Sequence, residues 1–306
     1  MKRCLVPLAA LVLALSAGAL AGCGRPAGTD GDLVNGWAMP GAARFFTPVV
    51  GHCYDNSDQD EQSMAIADFQ DMPCTVEHDQ EVVAAQVFTG EVASAAVPPQ
   101  PGSAAYRAAW LGCDAAANTY LGGNWRDALA FAYLVLPNTK EWLAGDRNYA
   151  CALVGQDTKN GGTMFGYYRN GLTGARPAAR TCFTFSGTAL DKDGYFTTLS
   201  TWAATPCGTS HDAEYVGWLQ ADTATEPAQG SLRYDAEYSR CVGITATFLN
   251  RSVADTENKT DMEPFWFWPS DDRWTAGDHS FSCYVAVPSI RPITRSLKGI
   301  GSTTPN

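Results

Sequence analysis

A histidine, an aspartate and a glutamate stand together twice in this chain, as His78-Asp79-Gln80-Glu81 and as His211-Asp212-Ala213-Glu214. A histidine steadied by a carboxylate can serve as a general base, and the same three side chains can ligate a divalent metal. Either chemistry requires them to converge. Neighbouring residues on a strand point to opposite faces, so His78 and Asp79 converge only if they precede the strand rather than belong to it. No GxSxG, HExxH, P-loop or Gly-rich dinucleotide motif accompanies them. The competing role is structural. A His just after a Cys-closed turn can donate to main-chain carbonyls, and Asp79 and Asp212 can cap nearby N–H groups. Without companion motifs we read all six as pins of the fold and expect no catalytic residue, metal or cofactor.

A second constellation is Trp142-Leu143-Ala144-Gly145-Asp146-Arg147, matched by Trp274-Thr275-Ala276-Gly277-Asp278-His279. Trp142 and Trp274, each three residues before a Gly-Asp pair, suggest a tight turn beneath an aromatic ring, with Asp146 and Asp278 fixing the turn. The alternative is a binding groove in which Trp266, Trp268 and Trp274 stack on sugar rings or peptides.

Both constellations belong to a longer internal duplication. Pro73-Cys74-Thr75-Val76-Glu77-His78-Asp79 recurs as Pro206-Cys207-Gly208-Thr209-Ser210-His211-Asp212 at an offset of 133 residues, and Cys151-Ala152-Leu153-Val154 as Cys283-Tyr284-Val285-Ala286 at an offset of 132. Each copy holds four cysteines in order: Cys53, Cys74, Cys113 and Cys151, then Cys182, Cys207, Cys241 and Cys283. If no bridge crosses between copies, about nine pairings of the eight remain. We favour first with second and third with fourth in each copy, the latter bridge pinning a helix to the closing strand.

Apolar residues at three and four spacing predict a helix over 104–121, with a less clear counterpart over 232–247. Val-, Tyr- and Trp-rich runs predict strands over 81–88 and 213–219, over 131–136 and 265–268 before Pro137 and Pro269, and over 148–154 and 280–287. Helix and strand mixed without regular βαβ alternation point to an α+β class: two tandem duplicated, disulfide-stapled domains, 45–158 and 175–288. The segment 159–180 is expected to join the copies, and the tail 289–306 to fray.

The first 22 residues form a secretory leader. Lys2 and Arg3 precede an apolar run from Leu5 to Leu20. Leu20-Ala21-Gly22-Cys23 resembles the lipobox of bacterial lipoproteins, which implies lipidation of Cys23 and a flexible spacer over 23–44 that lifts the domains from the outer face of the cell membrane. The odd mature cysteine left outside the framework of eight agrees with that role. The formal charge of -11 becomes -13 when a leader bearing two cations and no acid is removed. Such a charge argues against nucleic acid as a partner.

The pattern Gly51-His52-Cys53-Tyr54-Asp55, then Pro-Cys-x3-His-Asp-x-Glu-Val-Val, then Trp-x2-Gly-Asp-Arg-x3-Cys resembles the septum formation domain family of actinobacterial envelope proteins. The first copy matches better, since His279 stands at the Arg147 position and Tyr215 at that of the first Val. The resemblance implies an extracytoplasmic protein, often membrane-anchored in the family, that is linked to the division septum and has no established reaction, while the acidic charge favours an envelope protein or wall polymer as partner. Two other readings follow from the residues: a metal-assisted hydrolase of wall material through His-Asp-x-Glu, and a sugar- or peptide-binding lipoprotein.

Overall fold

In the computed structural model, residues 45–56, 69–155, 164–187, 189–195, 198–222, 232–257 and 261–305 are described. The leader, Cys23 and the spacer lie outside them. No helix among the described residues is long and apolar enough to cross a membrane.

The elements follow in chain order. The first half contributes β1 (Cys53–Asn56), β2 (Phe69–Met72), β3 (Glu77–His78), β4 (Gln80–Val87), α1 (Gly90–Ala93), α2 (Ala104–Leu121), β5 (Ala130–Val135), α3 (Thr139–Ala144), β6 (Asn148–Gly155) and β7 (Met164–Phe165). The second contributes β8 (Cys182–Gly187), β9 (Leu199–Thr205), β10 (Ala213–Gln220), α4 (Leu232–Leu249), α5 (Val253–Glu257), β11 (Glu263–Phe267), α6 (Asp271–Ala276) and β12 (Ser280–Ala286).

Two five-stranded antiparallel sheets result, in the orders β2-β1-β4-β6-β5 and β9-β8-β10-β12-β11. The orders are the same once copies are aligned. Even the irregularity repeats, because the ladder shifts register between Val82 and Ala84 and again between Tyr215 and Gly217. A bulge at the same position in both sheets bends each central strand at the same place.

Local chemistry explains the helices. Ser103 caps α2 by accepting from the Tyr106 N–H, and Gly122 ends it in the left-handed conformation that a side chain resists. Ala109, Trp110, Cys113, Ala117, Tyr120 and Leu121 form its buried face, at helical spacing. Asn138 and Glu141 make a reciprocal capping box at the start of α3.

The four disulfides are Cys53–Cys74, Cys113–Cys151, Cys182–Cys207 and Cys241–Cys283, the pairing favoured above. In each half the second bridge ties the long helix to the closing strand, on the side where Trp125 and Trp142, or Trp274 and Phe281, fill the space between helix and sheet.

Residues 45–306 cluster as one compact unit. The seam between halves is polar and buried. Arg126 spans it, donating to Asp278 Oδ1 at 3.0 Å and Ser280 Oγ at 2.6 Å. Arg273 returns across it, its guanidinium 4.2 Å from the Phe131 ring centre. Tyr215 Oη donates to the Arg126 carbonyl at 3.0 Å.

Two expectations are corrected here. The tail does not fray: Ile293 and Leu297 are buried with Leu249, Met262 and Val285. The segment 164–180 is no mere connector, because Met164, Leu172 and Ala178 belong to the core of the first half. Both are held by main-chain bonds that ignore side-chain identity, which is why the sequence conceals them.

Candidate functional site

The His-Asp-x-Glu residues lie where these two segments cross the sheets. His78 pairs with Met164 in the β3–β7 ladder, and His211 exchanges main-chain bonds with Ile293 at 2.9 and 2.8 Å. Glu81 accepts from the Tyr168 N–H at 2.7 Å, and Glu214 from the Leu297 N–H at 2.5 Å. Next, Asn170 and Leu172 donate to the Tyr120 and Leu121 carbonyls, as Gly299 and Gly301 donate to those of Phe248 and Leu249. Residues 164–172 and 293–301 are therefore one strap, repeated at an offset of 129, which ties the end of the long helix to the motif carboxylate.

Each imidazole is fixed in the same way. His78 Nδ1 lies 2.8 Å from the Val76 carbonyl and His211 Nδ1 2.8 Å from that of Thr209, and both rings are buried. Asp79 and Asp212 sit at the bend between the His and the strand, each donating its N–H to the residue after the first cysteine, Tyr54 or Phe183, at 3.1 Å. Asp212 Oδ1 also caps the Phe185 N–H at 2.9 Å. The Asp212 carboxylate thus faces β8, while Glu81 and Glu214 face the straps. Desolvation raises the Asp212 pKa above the usual carboxylate range.

The copies differ at the glutamate. Glu214 takes Ser296 Oγ at 2.8 Å and His211 Nε2 at 3.2 Å. Burial alone lowers the His211 pKa, yet the bonds to Glu214 and to the Thr209 carbonyl outweigh it and hold it above the ordinary value. Glu81 instead accepts the Tyr120 hydroxyl, leaving the buried His78 Nε2 without a partner among the described residues. Desolvation raises the pKa of both Glu81 and Tyr120, and the shared hydrogen bond lowers the first and raises the second further.

Cys53, His78 and Glu81, and likewise Cys182, His211 and Glu214, bring possible ligand atoms within 4.8 Å of one another. Both sulfurs are committed to disulfides, and a metal needs the thiolate. Each cluster retains a His and a Glu, fewer than the three protein ligands a catalytic zinc site uses.

The Trp-x2-Gly-Asp segments are helix ends, α3 and α6, closed by Gly145 and Gly277 in the left-handed region. Trp142 is buried, donating to the Ala95 carbonyl at 2.8 Å, with the Arg147 guanidinium 4.0 Å from its ring centre. His279 replaces that contact by stacking on Trp274 at 4.3 Å, and both side chains also reach the carbonyl of their Trp. Asp146 Oδ1 accepts the Asn148 N–H at 2.9 Å, and Asp278 Oδ1 that of Ser280 at 3.2 Å. Asp278 does more: burial would raise its pKa, but Arg273 and Arg126 beside it hold it below the usual range. Trp274 is buried with Phe281, and Trp266 and Trp268 pack against the same cluster, so these rings build a core more than a stacking surface.

A cavity of about 410 Å³ opens over Tyr120, bounded by Val50, Val83, Ala116, Arg169 and Asn170. Sequence reading missed Arg169 and Arg126, which fall outside any motif. The one available signal was contrast between copies, Tyr120 against Phe248.

No curated protein and no solved structure matches the chain. One family match covers residues 50–283, across both halves and most of the chain, and on that match the protein belongs to the Septum formation family.

Proposed function

We propose that this is a non-catalytic, extracytoplasmic lipoprotein, anchored to the cell membrane through Cys23, that serves as a binding or scaffold module in septum formation or wall assembly. The observation that carries the non-catalytic reading is the use of both His-Asp-x-Glu motifs as strap anchors, with each imidazole buried against a main-chain carbonyl. A general base must bring a ring nitrogen within reach of substrate, and both rings are buried. Membership of the Septum formation family supports a role in cell division or the envelope, and the leader with Leu20-Ala21-Gly22-Cys23 supports the anchor. Two acyl chains hold a protein stably at a bilayer where one does not.

The test has two arms. Replacing Cys23 by Ser moves the protein from the membrane fraction to the soluble extracytoplasmic fraction; retention in the membrane overturns the anchor. A fluorescent fusion concentrates at the division site, and uniform labelling of the cell outline overturns the link to the septum.

A further inference from the structure

We infer that the cavity over Tyr120 in the first half binds the carboxylate end of a short ligand with a small apolar body, of dipeptide size, and that the second half is its non-binding copy.

The volume, about 410 Å³, lies within the range of small-molecule sites. Val50, Val83 and Ala116 supply a low apolar wall, while Arg169 and Asn170 supply the polar end. The Arg169 guanidinium is 4.7 Å from the Tyr120 ring centre, and that plane holds it in place. Gly51 makes room for it: a Cβ there would meet Arg169 Nη2 at 3.0 Å, and Gly51 has a φ of +83°. A guanidinium fork pairs with a carboxylate through two parallel hydrogen bonds, which fixes the sign and shape of the ligand's polar end. Phosphate sites gather several cations or backbone N–H groups; here a single guanidinium, hydrogen-bonded to Tyr120 and with Glu81 nearby, stands beside one amide and keeps its remaining N–H donors for one carboxylate.

The duplication provides an internal control. Alignment through the long helices and the straps sets Tyr120 against Phe248, Ala116 against Ile244, Arg169 against Lys298, Asn170 against Gly299, and Gly51 against Arg180. The second half keeps the same sheet order, disulfides and strap bonds without the hydroxyl, the amide or the glycine. Its glutamate is satisfied by Ser296, Leu297 and His211. The second half thus folds without a hydroxyl, an amide or a glycine at these places; in the first half the Tyr120 hydroxyl is taken by Glu81, which leaves Arg169 and Asn170 as the polar groups that line the cavity.

The experiment is titration of the oxidised mature protein with N-acetyl-alanyl-alanine, its C-terminal amide and inorganic phosphate, by calorimetry and by shifts of the Arg169 and Asn170 NMR signals. The acid is expected to saturate in the millimolar range or below, with the amide and phosphate at least about tenfold weaker. Arg169→Gln weakens the acid by about tenfold or more without lowering the melting temperature, and Lys298→Gln leaves binding unchanged. No saturation by the acid, equal binding of acid and amide, equal binding of phosphate, or an unaffected Arg169→Gln variant each overturns the proposal.

Discussion

Asp278 and Asp146 hold equivalent places at the ends of α6 and α3, and an Asn substitution at each separates a turn from a seam. Asp146 Oδ1 accepts the Asn148 N–H and Nδ2, at 2.9 and 2.7 Å, and no cation pairs with it among the described residues. An Asn there keeps an acceptor oxygen, so Asp146→Asn is expected to cost about 1 kcal/mol, the worth of a weakened hydrogen bond. Asp278 meets Arg273 Nη2 at 2.6 Å and Arg126 Nη2 at 3.0 Å, and its side chain is 1% exposed. Losing one partner of a buried pair costs roughly 3–5 kcal/mol, because the other charge stays desolvated and uncompensated. Arg126 keeps Asp114 at 2.7 Å, whereas Arg273 has no second carboxylate among the described residues. The lower end applies, about 3 kcal/mol for Asp278→Asn. Urea denaturation followed by far-ultraviolet circular dichroism should then place Asp278→Asn about 2 kcal/mol below Asp146→Asn in stability. Since the folded pKa of Asp278 lies under its ordinary 3.8, its contribution is present above that value and lost as pH falls through the folded one. The gap should therefore close in strong acid. Equal destabilisation by the two variants at neutral pH refutes the reasoning.

Other outcomes follow from the same geometry. The raised pKa of His211 gives stability that is full below its ordinary 6.5 and lost as pH rises through the folded value, so His211→Gln should flatten that decline in thermal melts taken across neutral pH. Removing Cys113–Cys151, which closes a separation of 38 residues, should cost about 4 kcal/mol, and removing Cys53–Cys74, separation 21, about 3 kcal/mol, as read from paired Cys→Ser variants in urea.

What could be read from the sequence was whatever side chains encode. The helix predicted over 104–121 matches α2 at both ends, because its apolar residues keep helical spacing and Gly122 stops it. Strands over 148–154 and 280–287 fall within one residue of β6 and β12, where Tyr149 to Val154 and Cys283 to Ala286 are unbroken apolar runs. Cysteine order in two copies narrowed the disulfides to about nine pairings, and the favoured one is the one found. The straps were not: Tyr168-Arg169-Asn170-Gly171-Leu172 and Leu297-Lys298-Gly299-Ile300-Gly301 share no residue at equivalent places, and they bind through N–H groups that every non-proline residue carries. The seam was hidden for another reason. Arg126 and Arg273 reach across from different halves, and nothing in their neighbours marks them as buried. The motif was visible, but its work on the strap was not, since the partner is backbone.

The central claim is that the motif glutamate holds the strap. Amide hydrogen exchange on Glu214→Ala tests it most directly. The Leu297, Gly299 and Gly301 amides should lose protection while those in the β10–β12 ladder keep theirs, and Glu81→Ala should do the same to Tyr168, Asn170 and Leu172. Unchanged strap protection in both variants contradicts the account.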